Sequence, residues 1–410
     1  MGSIALTVSN RRRANAVLVA ISVLFVATGV AAQEPAAQLP VTPNTELYAK
    51  IERTIVRIQS VFGAPLHPVI STVGPGGGLG AGLGYTSPGI GPWHSSARAL
   101  YTWNRYWLAE AMTGYDGRRA QVEAFARGRE MTRLNYFGPG PHSNLFDRTS
   151  YSLHEPVVGV HGKFRVLPWA TLGGRVEETW PYGTSGKRPP TIELRFFPTP
   201  GLFKPTRFGR YQGSLDVQLP AAAGDGFYQG TKSRVTYAIY DQQNAEEFNF
   251  RRLDIEAQQT FAGFAPHHRL TLSGWMASLT TDAGQEIPFE LLPTLGGDSE
   301  IRSVHDERLG SDGTRATLRG YRDLRFRDRN VMLLQAEYRV PLWGPIDATA
   351  FVDAGKVAPT RSDLDFNDLR RDFGISLSIM KGWETWARVD FGFGSGEGAR
   401  VYFTLLGLTP

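Results

Sequence analysis

Two short runs in this chain hold side chains that could bind one another. Arg319-Gly320-Tyr321 opens an arginine-rich stretch that continues to Arg329, and Phe351-Val352-Asp353-Ala354-Gly355 follows downstream. A guanidinium can meet a carboxylate through two parallel hydrogen bonds, so Arg319 and Asp353 could form a directional pair. Gly320 would let the backbone turn sharply, and Tyr321 could stack or hydrogen-bond beside the pair. Spacing alone leaves a second reading open, in which Arg319 is one loop arginine among many and Asp353 an ordinary interior charge.

Covalent and metal chemistry find less support. The chain has no cysteine, which excludes a disulfide framework, a thiolate metal site and a cysteine nucleophile. Its histidines are His67, His94, His142, His154, His161, His267, His268 and His305, and none has the i,i+4 spacing of a zinc helix. No Gly-x-Ser-x-Gly frame accompanies His161, so a serine–histidine hydrolase has only a position to recommend it. The glycine-rich run at residues 74–84 lacks a following Lys-Ser/Thr and a helical pattern, which argues against a phosphate loop. It reads instead as a weak first strand. No catalytic residue, metal site or cofactor is expected, and the chain is read as not an enzyme.

The elements that must position these residues are strands. Polar and apolar residues alternate with period two at 158–166, 191–196, 213–219, 252–258, 333–340 and 386–393. In the run 346–353, Asp347, Thr349, Phe351 and Asp353 share one face, and Ile346, Ala348, Ala350 and Val352 share the other. Glu337 lies on the polar face of its own run as a supporting interior residue. Many polar positions are charged with both signs, as expected where strands turn one face to lipid and the other to a polar lumen. Mean hydropathy is −0.24, and no stretch after residue 32 is long and apolar enough for a membrane-spanning helix. Direct counting gives about 14 strands from Gly78 onward.

The chain begins like an exported protein. Arg11, Arg12 and Arg13 precede an apolar run and small residues at 30–32, the layout of a cleaved signal peptide over residues 1–32. Those residues carry three arginines and no acid, so the net charge falls from +5 to +2 on their removal. No basic stripe with interleaved aromatics is present, and no nucleic-acid partner is expected. Residues 33–73 are read as a short segment with an amphipathic helix, since Leu47, Ile51, Ile55 and Ile58 fall on one face after Asn44 or Thr45. Residues 74–410 are read as an all-β, transmembrane antiparallel barrel.

The local pattern at 289–355 resembles the outer-membrane assembly factor superfamily, the BamA/TamA type also called bacterial surface antigen barrels. In that family a long loop folds back into the barrel, and its Arg-Gly-Phe/Tyr tip meets a Phe-x-Asp-x-Gly motif on an inward strand face. Arg319, Gly320 and Tyr321 match the tip. Phe351, Asp353 and Gly355 match the wall. The likeness extends to residues 293–297 (PTLGG), 136–141 (YFGPGP) and 398–403. It implies 16 strands and a loop locked in the lumen.

This sequence departs from the family in three respects. It has no room for the periplasmic POTRA repeats, so it is read as a member lacking them. Residues 298–317 read as a charged insertion. The end is Leu408-Thr409-Pro410 rather than a terminal aromatic, with Phe403 the nearest candidate. The resemblance implies a factor that assists insertion or translocation of protein or lipid at the outer membrane; a passive channel or structural barrel is the alternative. Outer-membrane lipids, a client β-barrel or secreted protein, and a periplasmic partner protein are the expected partners.

Overall fold

A computed structural model describes residues 65–220, 230–262, 268–297, 317–381, 384–394 and 396–405. The signal segment, the amphipathic helix and residues 298–316 of the charged insertion lie outside the described residues. The fold is all-β. The first strands are β1 (Leu66–Ser71), β2 (Gly80–Thr86), β3 (Trp93–Thr102), β4 (Trp107–Asp116), β5 (Ala120–Tyr136), β6 (Thr149–Leu167) and β7 (Ala170–Thr179). A short β8 (Tyr182–Ser185) precedes β9 (Phe208–Pro220), β10 (Gly230–Gln242), β11 (Phe250–Ala262) and β12 (Arg269–Thr281). The connection over residues 282–329, the inner loop, carries β13 (Thr294–Leu295) and β14 (Phe326–Arg327). The last strands are β15 (Asn330–Trp343), β16 (Ile346–Ala358), β17 (Arg370–Lys381), β18 (Glu384–Gly394) and β19 (Gly398–Leu405).

Seventeen of these strands share one sheet. Sixteen form an antiparallel succession, running β1 to β7, β9 to β12 and β15 to β19. The seventeenth, β8, lies against the extension of β6. Among the described residues no register joins β19 to β1.

The sheet is polar inside and apolar outside. On β16, Asp353, Phe351 and Thr349 are buried, while Val352 between them is 53% exposed. On β17, Asp372, Ser376 and Ser378 are buried, while Phe373, Ile375 and Leu377 are exposed. Buried Arg127, Glu177, Arg210, Glu256 and Arg388 continue the inner face, and exposed Val160, Val176, Tyr211, Ile239 and Val401 the outer one. Water as the outer solvent would favour the reverse arrangement, so the exterior suits hydrocarbon.

Three sequence expectations change. The run 191–196 is not a strand: a single helical turn, α1 (Glu193–Phe196), occupies it, with Ile192 buried beneath. Pro189, Pro190 and Pro198 flank it, and proline cannot supply ladder donors. The glycine run is not the first strand. Gly76 and Gly78 take φ of +69° and +68°, outside the strand region, and join β1 to β2. Among the described residues the sheet therefore begins at Leu66, ahead of the expected boundary at residue 74.

Candidate functional site

The inner loop descends onto the polar face and packs there. Leu295, Leu318, Tyr321 and Phe326 form one buried cluster with Trp275, Val331, Leu333 and Val357 of the wall. β13 and β14 pair with each other, so the loop satisfies part of its own backbone. These contacts deliver Arg319 to the centre of the inner face, where it is 1% exposed.

Arg319 and Asp353 meet through two hydrogen bonds. Nε donates to Oδ2 at 2.8 Å and Nη2 to Oδ1 at 2.7 Å. The third guanidinium nitrogen, Nη1, donates to Glu337 Oε1 at 2.5 Å. Phe351 lies under the guanidinium, its ring centroid 3.5 Å from Cζ. Burial opposes the Arg319 charge, yet Asp353 and Glu337 outweigh it and hold the guanidinium above its ordinary pKa. Gln335 Nε2 adds a donor to Asp353 Oδ1 at 3.1 Å.

Each wall residue of the motif has a distinct role in packing. Phe351 supplies the stacking face and Asp353 the acceptor. Gly355 leaves space for the inner loop: a Cβ there would lie 2.9 Å from Leu295 Cδ1. Gly320 serves the same purpose on the tip, beside the expected turn. The chain does turn there, the Tyr321 N–H donating to the Leu318 carbonyl at 3.1 Å, but the φ of Gly320 is not positive, so the turn alone does not demand glycine. The requirement is close approach, because a Cβ would collide with the Gly394 backbone nitrogen and stand 2.6 Å from Asp372 Cβ. Gly392 answers from β18, where a Cβ would lie 2.5 Å from the Arg319 carbonyl oxygen. Tyr321 stacks edge-on with Phe326 and donates from Oη to the Arg371 carbonyl at 3.2 Å. Tyr402 of β19 donates to the Tyr321 carbonyl at 2.8 Å, tying the last strand to the tip.

Sequence reasoning missed the outer ring of this site. Arg388 is fully buried and donates to Glu337 at 3.0 Å, to Asp390 at 2.9 Å and to Ser376 at 2.9 Å. Asp372 faces Asp353 directly across the β16–β17 register. The period-two pattern placed Arg388 and Asp390 on a polar face but gave no register to connect them to Arg319.

A second contact zone lies nearer the long-loop rim. Arg325 pairs with Glu397 at 2.5 Å and donates to the Ser143 carbonyl at 2.7 Å. Arg327 donates to the Phe289 carbonyl at 2.6 Å and to Tyr151 Oη at 2.8 Å. The 136–141 segment meets the same loop, since the Gly140 N–H donates to the Arg327 carbonyl at 2.8 Å. His161 sits 3.7 Å from Glu123 on the inner face, beside a polar cavity of about 230 Å³. Among the described residues no cluster of histidine and carboxylate side chains is placed to hold a metal ion.

No family model matches the chain, and no curated protein does. Solved structures do. The crystal structure of BamA from Haemophilus ducreyi lacking POTRA domains 1–3 aligns over 92% of this chain and 80% of that one, at a TM-score of 0.55 and 12% identity. CdiB from Escherichia coli aligns over 83% of this chain and 62% of that one, at 0.53 and 12%. CdiB from Acinetobacter baumannii aligns over 82% and 58%, at 0.47 and 10%, too low a score to carry an argument. The first two likenesses establish a shared fold.

Proposed function

We propose that this chain is an outer-membrane β-barrel of the assembly-factor superfamily, closed from 16 strands, that assists insertion or translocation of protein or lipid. The observation that carries the reading is the buried fork between Arg319 and Asp353. A passive pore needs no such element. A device that must keep an inner loop seated while its wall deforms does. The apolar exterior supports the membrane setting, and the fold shared with BamA and CdiB supports the class of task.

The action proposed is conformational, with no covalent step. β1 is only six residues long and has no register with β19 among the described residues. A weakly joined seam presents strand edges on which a client strand can be templated by β-augmentation. The inner loop, held by Arg319, keeps the interior ordered meanwhile. Outer-membrane lipids, a client chain and a periplasmic partner protein complete the scheme. The second reading, a passive channel, has in its favour the polar cavity among Glu123, Arg175, Arg210, Arg234 and Asp254.

Reconstitution separates the two. Liposomes carrying the purified barrel are given a urea-denatured eight-stranded outer-membrane protein, and its folding rate is followed beside leakage of a small dye. Faster folding than in empty liposomes, lost with Arg319→Ala, supports assembly. Dye leakage with no effect on folding supports the channel.

A further inference from the structure

Glu290 is a buried acid with no part in the lock. It lies in the short helical turn Phe289–Leu291 of the inner loop and is 3% exposed. No other residue among those described donates a hydrogen bond to either carboxyl oxygen. What seals it is the β7–β9 connection, which crosses over this turn. The Phe289 N–H donates to the Pro200 carbonyl at 3.0 Å, and the Phe203 N–H donates to the Gly183 carbonyl at 2.9 Å. A Cβ on Gly201 would lie 3.1 Å from Glu290 Oε2, so the covering backbone rests on the carboxyl itself. Phe289 and Leu202 then join one buried cluster with Tyr136, Tyr151, Ile192 and Leu324, which closes this end of the sheet.

The charged groups around Glu290 do not neutralise it by contact. The Arg327 guanidinium of the inner loop spends its hydrogen bonds on the Phe289 carbonyl and Tyr151 Oη. Glu155 on β6 adds negative charge and is itself engaged by Arg127 and Arg129. Tyr151 and Tyr136 are the other titratable faces. An ionised carboxylate in such a place carries a desolvation cost of several kcal/mol, which its own backbone N–H and the Arg327 charge offset only in part. Neutral, it fits.

We propose that Glu290 is a proton-operated catch on the long-loop rim: protonated, it stays sealed between the inner loop and the β7–β9 connection, and ionised, it drives the two apart. Burial pushes the Glu290 carboxyl up to about 7 from an ordinary 4.5, with its own backbone N–H and then Arg327 only partly opposing the rise. The sign follows from linkage. Closure is fully favoured below the ordinary value and is lost as pH rises through the raised one. Long loops of outer-membrane barrels face the outside, so the catch responds to external pH. The inference concerns how the rim closes and holds for either reading of the barrel's task.

Hydrogen exchange on the purified full chain in detergent micelles, read over residues 181–203 and 286–292, tests this. Wild type is compared with Glu290→Gln at each pH, which cancels the intrinsic pH dependence of exchange. The opening ratio of wild type to Glu290→Gln should rise about tenfold per pH unit between the two carboxyl values and then level off. Glu290→Met, apolar and of similar length, should be as pH-insensitive as Glu290→Gln and covers the case in which one variant misfolds. A wild type whose opening does not change relative to both variants, or variants that keep the pH response, overturns the catch.

Discussion

Arg319 is the residue on which the interior turns, and the reason is geometric as much as electrostatic. Its three nitrogens serve two carboxylates on two strands while its plane lies on Phe351. Arg319→Ala should release the loop tip at a cost of about 3–5 kcal/mol, because it strands buried carboxylates without their cation. Arg319→Lys keeps the charge but not the fork, and should recover less than half of that loss. Hydrogen-exchange protection of residues 317–328 measures both; equal protection in Arg319→Lys and wild type would sink the fork argument. Asp372 makes an opposite case. It faces Asp353 directly in the register and is buried, so two charges are not held side by side there. Asp372→Asn keeps the size without an ionisable group and should leave tip docking within about 0.5 kcal/mol of wild type, read by the same exchange experiment.

At the scale of elements, the tip and β18 are fitted through their backbones. Gly320 lies against Gly394 and Gly392 with no space for a side chain on either partner. Gly320→Ala should cost about 1–3 kcal/mol or more as overpacking. Tyr321→Phe loses one hydrogen bond to the Arg371 carbonyl and should cost about 1 kcal/mol. A reversed order in urea titrations of loop docking would contradict this account. Much of this was legible beforehand. Alternation over 346–353 fixed which face held Asp353, and a tip arginine of the right type lay upstream. Arg388 was not legible as a lock residue, since a period of two gives a face and never a neighbour. Residues 191–196 misled because three alternations between prolines fit a strand template although the segment folds as a single helical turn. Gly320 was legible as a turn residue, but sequence shows a missing side chain without showing which backbone presses against its place.

For the whole molecule, the inverted distribution of polarity sets the medium. Val352 and Asp353 are neighbours on one strand with opposite surroundings, an exposed apolar face and a salt-bridged interior. Val352→Arg should cost about 2–4 kcal/mol for folding into lipid vesicles if the residue sits near the bilayer midplane. A near-zero cost would place that face in water and remove the membrane reading. The likeness to BamA and CdiB shows a shared fold and names no client. The most direct test is a quantitative profile of outer-membrane proteins and surface lipids in a strain lacking this chain, rescued with wild type or Arg319→Ala at matched levels. The account predicts loss of a defined set of proteins or lipids, restored by wild type and not by Arg319→Ala. A profile unchanged by the deletion, or restored equally by both, would contradict it.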